Sequence, residues 1–271
     1  MKMFKTIADI TKEHIENRSQ LLKLAVTDMK KQYSGSVLGA FWAFVKPAIT
    51  IFVFWFAFSV GLRHGADKNG YPFFLWLIAG MIPWFYMRDT FTGGTGGIRK
   101  YKYLVTKIKF PVSTIPTFLS ISNLISHIVL LVVMIIIFML FGYMPTIYYL
   151  ELPIYMAAMF LFFTAWSLFA SMLGTISKDF VNLVRSLVQA LFWMSGIIYD
   201  ASTIENVWIR TVLNFNPVTL IANGYRNVFI YGRWFWETPG EVRNFVIVYV
   251  IMCIFAALMY KKTRKDIPDM L

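Results

Sequence analysis

The chain has 271 residues, of which 58% are apolar or aromatic and only 15% charged, against roughly 25% charged in an ordinary soluble domain. Charge is missing from several runs of about 20 residues, the length that crosses a hydrocarbon core about 30 Å thick. That leaves one compact membrane domain and no room for a soluble catalytic domain. The net charge of +12 does not mark a nucleic-acid binder, because Lys and Arg sit at the ends of the apolar runs, where retention signals and headgroup contacts lie.

Residues 1–36 read as a cytoplasmic amphipathic region. Leu21, Leu22, Ala25, Met29 and Tyr33 recur at helical spacing, while Lys23, Lys30 and Lys31 fall mostly off that stripe. Such a helix suits the membrane surface, with its apolar face sunk among headgroups; an ordinary packed amphipathic helix is the alternative. The first long apolar run starts only near Phe41, too late for a cleavable signal peptide. Residues 37–271 then form the membrane domain, with spans expected at 41–62, 73–91, 117–141, 152–176, 183–199 and 245–260. Pro47 and Pro83 interrupt the first two, which is tolerated where neighbouring helices supply partners for the freed carbonyls.

Loop charge sets the orientation. The amino end, the second and fourth loops and the carboxyl end, counted with Arg88 and Arg185 at the adjoining span ends, hold 19 of the 26 Lys and Arg residues; the other loops hold 6, and Lys46 lies within the first span. The excess puts both termini in the cytoplasm. The fold class is therefore an all-α integral membrane protein: six transmembrane helices, an N-terminal amphipathic interfacial helix, and short external re-entrant helices between spans five and six. The last element comes from residues 200–244. That loop is external yet apolar over 207–213 and 218–230, two stretches separated by Asn216-Pro217; a wholly solvated loop needs no such pattern.

Catalytic chemistry is hard to find. His14, His64 and His127 lie in separate segments without ligand spacing, and the single cysteine, Cys253, sits in an apolar run. The run Gly93-Gly94-Thr95-Gly96-Gly97 lacks the spacing of a phosphate loop and reads as a flexible join into a cytoplasmic segment at about 93–116. There Arg99, Lys102, Tyr103, Lys107 and Phe110 interleave base with aromatic, so the segment either docks on a partner or only fixes topology. Lys178 and Asp179 in the fourth loop offer a smaller contact. In the third span Ser120, Asn123 and His127 share a face, best read as interhelical hydrogen bonding. In the fifth, Asn182, Arg185, Ser186, Gln189, Trp193 and Gly196 repeat at three- and four-residue intervals, a pattern that fits either a wet path or helix contacts. Phe41, Phe52 and Trp55 share a face of the first span, as path lining or as part of an interfacial belt.

The stretch Thr27 to Trp42, with Leu38-Gly39-Ala40-Phe41-Trp42 leading to Pro47, resembles the amphipathic start of the permease subunits of ABC exporters for polysaccharides and teichoic acids. Lys107-Ile108-Lys109-Phe110-Pro111 looks like that family's coupling loop, and Asn216-Pro217-Val218-Thr219 with Gly224-Tyr225-Arg226 and Tyr231-Gly232 looks like its external re-entrant segment. Gly65-Ala66-Asp67, Pro72-Phe73-Phe74 and Ile82-Pro83-Trp84-Phe85 are most similar to the wall teichoic acid branch; Lys46 departs from the family, which often has Asn there. The resemblance implies a transport subunit of the bacterial plasma membrane, not an enzyme. It would hold no cofactor itself, since ATP and Mg would bind a separate ATPase present in two copies. A second copy of the chain would complete a path for a polymer on undecaprenyl diphosphate, whose diphosphate the surface lysines Lys30 and Lys31 would meet among membrane lipids. The alternatives are another polysaccharide, such as O-antigen or capsule, a small drug, or a membrane-embedded glycosyl- or acyltransferase.

The charge asymmetry generates a test. With Cys253 replaced, single cysteines at Lys68 and Glu205 react with an impermeant thiol reagent in intact cells, and one at Lys102 does not. The reverse labelling pattern overturns the orientation.

Overall fold

The computed structural model describes residues 2–32, 34–35, 37–61, 67–108 and 110–271. The helices, in chain order, are α1 (Lys2–Glu16), α2 (Arg18–Gln32), α3 (Trp42–Trp55, running on as a π-helical stretch over Phe56–Gly61), α4 (Phe73–Thr95), α5 (Gly97–Lys100), α6 (Lys102–Thr106), α7 (Thr114–Leu140), α8 (Leu152–Ile176), α9 (Lys178–Met194), α10 (Val207–Leu213), α11 (Pro217–Arg226, continuing over Asn227–Tyr231), α12 (Pro239–Thr263) and α13 (Ile267–Met270). Among the described residues there is no strand, only an isolated bridge between Lys68 and Tyr71. Side-chain caps start several helices. Asn206 accepts from the amides of Trp208 and Ile209, and Asn216 accepts from Val218 with Pro217 at the first helical position, the site where a missing N–H costs nothing.

Among the described residues, four helices are long and apolar enough to cross a membrane: Trp42–Gly61, Thr114–Leu140, Ile147–Ile176 and Pro239–Thr263. Two of the six expected spans, α4 and α9, are not among them, for different reasons. α4 is the axis of the bundle, packed by α3, α7, α8, α9 and α11 and buried on nearly all sides. Enclosed by protein, it needs no lipid-facing surface and carries Trp, Tyr and Gly freely. α9 has 17 residues and one polar face.

Glycine is what lets this core close. A Cβ on Gly94 would lie 2.1 Å from Ser167 Oγ, and one on Gly174 would lie 2.3 Å from the Thr95 carbonyl oxygen. Helix α8 thus approaches α4 through small residues, as membrane helix pairs do. This corrects the reading of Gly93 to Gly97 as a flexible join. Gly93, Gly94 and Thr95 are the last residues of α4, and Gly97 opens α5.

The termini meet at one end of the bundle. There α2 packs on α7, and Leu21 and Ala25 are buried in a cluster with Ile98, Tyr101, Leu104 and Phe110. The expected apolar stripe of α2 is therefore covered by protein at Leu21 and Ala25, while Leu22 stays exposed. Tyr33 of that stripe lies outside the described residues, as do Leu62, Arg63, His64, Gly65, Ala66 and Lys109. The buried position that follows Ala25 is an acid, Asp28. At the opposite end the Tyr143 hydroxyl donates to the Gly70 carbonyl at 2.8 Å, Asn69 donates to Ile230 at 3.2 Å, and the Phe235 amide donates to Glu151 at 2.9 Å. The fifth expected span is shifted, since Lys178–Met194 precedes 183–199 by about five residues. Ser177 caps its start, and Gly196, with φ +64°, ends it.

Because the α4–α8 contact has no space for a methyl group, Gly94→Ala lowers the thermal midpoint in detergent, at a cost of about 1–3 kcal/mol typical of overpacking. Adding Ser167→Gly restores much of it. Gly174→Ala meets backbone, so no single side-chain change relieves it; full stability in either single variant refutes the packing argument.

Candidate coupling end and translocation face

Residues 97–108 form two short helices folded onto the bundle. Arg99 Nε donates to the Gly174 carbonyl at 2.7 Å and a terminal guanidinium nitrogen donates to Thr175 at 2.6 Å. It thereby satisfies orphan carbonyls at the end of α8. The Phe110 amide returns to the Leu104 carbonyl at 2.8 Å, and its ring is buried. Of the residues expected to contact a partner, Arg99 and Phe110 are engaged within the chain, Arg99 at the end of α8 and Phe110 in the local core. Lys102, Tyr103 and Lys107 face outward, and Lys178 and Asp179 are exposed at the α8–α9 junction that Arg99 touches. Arg99 thus joins the start of one expected contact region to the end of α8, just before the other.

At the centre of this end of the bundle lies an acid to which the sequence reading assigns no role. Asp28 is 1% exposed. Its carboxylate accepts from Lys100 Nζ at 2.8 Å, Ser122 Oγ at 2.9 Å, Gln32 Nε2 at 3.1 Å and the Tyr101 hydroxyl. One side chain of α2 therefore ties α2 to the 97–108 segment and to α7. Glu13 of α1 repeats the pattern, accepting from Ser113 and, at 2.8 and 2.9 Å, from the Tyr260 hydroxyl near the end of α12. Arg264 pairs with Asp9 at 3.3 Å. Burial alone would raise the Asp28 carboxyl above its ordinary range; the bonds from Lys100 and Tyr101, the Lys100 charge and the Ser122 bond outweigh it and hold the pKa below 3.8. The Tyr101 hydroxyl is pushed up, by burial first and then by its bond to Asp28. Lys30 and Lys31, half a turn to one turn beyond Asp28, are both solvent-facing. Their place in the last turn of α2 also complements the helix dipole.

α9 is divided cleanly. Val181, Val184, Val188 and Phe192 are buried, with Phe192 at 5.5 Å from Trp84 of α4, while Asn182, Arg185, Ser186, Gln189 and Trp193 are exposed. Beside it, Phe54 of α3 packs on Phe192 and Trp193 at 5.0 and 5.9 Å. Phe52 and Trp55 instead line a cleft of about 480 Å³ with Phe74 and Phe141, and Phe41 is exposed at the start of α3. In the single chain Phe52 and Trp55 therefore face that cleft, whereas Arg185, Gln189 and Trp193 lie on the exposed face of α9 beside Phe54. In α7, Asn123 donates to Thr90 at 3.1 Å and His127 is 2.7 Å from the Tyr225 hydroxyl, as interhelical hydrogen bonding requires.

A second buried charge also escaped the sequence reading. Arg226 of α11 is 1% exposed. Its guanidinium donates to the Gly196 and Ile197 carbonyls at 2.8 and 2.5 Å and stacks 3.4 Å from the centre of the Trp76 ring. Gly80 leaves the room, since a Cβ there would meet the guanidinium at 2.6 Å. Arg226 thus closes the end of α9 onto α4 and α11.

The lowered Asp28 pKa fixes a pH dependence. A carboxylate held below its unfolded value stabilises docking fully above pH 3.8, and the contribution disappears as pH falls through the depressed folded value. Proximity of labels on Lys23 and Lys102 therefore stays constant from neutral pH through the ordinary carboxylate range and is lost only below it. Release nearer neutral pH contradicts this ionisation.

Residues 19–230 match the family model for the ABC-2 type transporter. The chain is 24% identical over 261 residues to the O-antigen export system permease protein RfbA of Myxococcus xanthus, spanning 96% of this chain and 98% of that one. It is 23% identical over 248 residues to the O-antigen export system permease protein RfbA of Klebsiella pneumoniae, spanning 89% and 92%. With a family match covering most of its length and several helices suited to a bilayer, the chain belongs to the ABC-2 type transporter family of multi-pass membrane proteins.

Proposed function

We propose that this chain is the transmembrane permease subunit of an ATP-driven exporter that moves a polyprenyl-diphosphate-linked polysaccharide from the inner to the outer leaflet. The observation that carries the reading is the exposed face of α9. Asn182, Arg185, Ser186 and Gln189 cannot economically face hydrocarbon. Covered by a second copy of the chain across a wet gap, they become one wall of a path, with Trp193 and Phe54 beside them. α4 and α9 then count as spans, giving six, and the α10–α11 hairpin is an external re-entrant element. The excess of basic residues at the end where the termini meet sets that end in the cytoplasm.

The ATP-hydrolysing subunit is a separate protein, expected in two copies, and it carries ATP and Mg. It docks on Lys102, Tyr103, Lys107, Lys178 and Asp179. Lys30 and Lys31 meet the diphosphate at the inner surface, where each nearby base contributes roughly 1 kcal/mol of attraction to anionic membrane charge. The names of the full-length relatives favour an O-antigen type of polysaccharide over the teichoic acid to which the local motifs point.

Reconstitution with the ATPase tests this. Lipid-linked polysaccharide stimulates ATP turnover and appears in the outer leaflet. Lys30→Gln with Lys31→Gln abolishes the stimulation without preventing membrane insertion. Bulky thiol labels at Gln189 and Trp193 block export, while labels at Leu183 and Leu187 are tolerated. Val188 and Phe192, being buried, are unsuitable controls. Equal block at all four labelled positions removes α9 from the path, and unaltered stimulation in the lysine variant removes the diphosphate site.

A further inference from the structure

A partner that drives this permease must press on the outward residues of the 97–108 segment, yet Lys30 and Lys31 lie on another element, α2. The apolar cluster of Leu21, Ala25 and Leu104 joins the two, but apolar contact is non-directional and permits one helix to slide on another. Asp28 supplies what that cluster lacks. Four donors from three directions converge on its carboxylate: Lys100 and Tyr101 from the segment, Ser122 from α7, and Gln32 from its own helix. Charge-assisted bonds of this kind are short, directional and stronger than neutral ones. The ring of Tyr101 is fixed as well, edge-on to Phe118 of α7 at 5.0 Å. Lys100 is half exposed, while Asp28 is enclosed, so the acid is the fixed point and the lysine the arm that reaches it.

We propose that Asp28 is a positioning residue that locks α2 to the 97–108 segment, so that the two move as one body and a displacement of the segment reaches Lys30 and Lys31 directly. The inference rests on the exporter reading above. On this account the lysines follow the partner's stroke through a single carboxylate, and Ser122 passes part of the same displacement to α7. Removing the charge while keeping the shape uncouples the two elements without emptying their shared core.

The experiment uses the full chain with its ATPase in nanodiscs, Cys253 replaced by Ser, and spin labels at the exposed positions Lys23 and Thr106. In the unaltered protein the distance between labels is single and unchanged when the ATPase is trapped with nucleotide. In Asp28→Asn the distribution broadens or shifts on trapping. Polymer moved per ATP hydrolysed falls by about tenfold, within the range usual for coupling between two sites. Tyr101→Phe, which removes one donor and leaves the ring in place, lowers that ratio less. Lys100→Arg, which keeps charge and donors, holds it near the starting value. Should Asp28→Asn not assemble with the ATPase, the Tyr101→Phe and Lys100→Arg pair decides. An unchanged distance and ratio in Asp28→Asn overturns the proposal. So does a parallel fall of transport and hydrolysis at constant ratio in every variant, which marks a purely structural residue. Failure of the unaltered chain to bind any ATPase is read before any variant is made, and it overturns the exporter reading itself.

Discussion

Helix α4 is walled in by protein along almost its whole length, and the other helices are arranged by that fact. To surround it, α8 must come close enough that Gly94 rests on Ser167 and Gly174 on the Thr95 carbonyl. α7, α9 and α11 then take the remaining sides. In a bilayer, apolar side chains gain little by leaving lipid for protein, so association depends on dispersion contacts at close range and on hydrogen bonds. The small residues supply the first, and Ser167, donating to the Thr90 carbonyl at 3.2 Å, supplies one of the second.

The two ends of the bundle are closed by different chemistry. Where the termini meet, carboxylates on the amino-terminal helices accept from hydroxyls and bases on the bundle: Asp9, Glu13 and Asp28 against Arg264, Tyr260, Ser113, Lys100, Tyr101 and Ser122. At the other end a buried guanidinium, Arg226, does the joining through carbonyls and an indole face. In both, the fully buried charged group, Asp28 or Arg226, is held by several hydrogen bonds that offset the cost of burial.

α3 stands apart from this. It is the least enclosed of the four apolar helices, touching α4 along one side and α9 through Phe54. Its exposed rings, and the polar face of α9 next to it, are surfaces that a monomer in lipid leaves only partly satisfied. These are the surfaces that the second copy proposed above would cover.

Much of the architecture was legible in the sequence. Apolar runs of membrane length, basic residues at their ends, and Asn-Pro at the start of α11 determined an all-helical membrane protein and the positions of most helices, because hydrophobic length and capping are local properties. The exposed stripe of α9 was legible too, since a period of 3.6 residues needs no knowledge of neighbours. What the sequence could not settle was which polar groups lie inside. Asp28 reads as one acid among surface lysines and Arg226 as one base in a loop; only partners distant in the chain, at 100, 101 and 122 for one and at 76, 196 and 197 for the other, make them buried hubs. The glycine run looked flexible for the same reason. Its close contacts come from α8 at Gly94 and from Leu119 of α7 at Gly97, and α2's apolar stripe is covered by a segment some 75 residues away. Tertiary structure decided these points because close packing and polar satisfaction belong to pairs of elements, while periodicity and hydropathy belong to one.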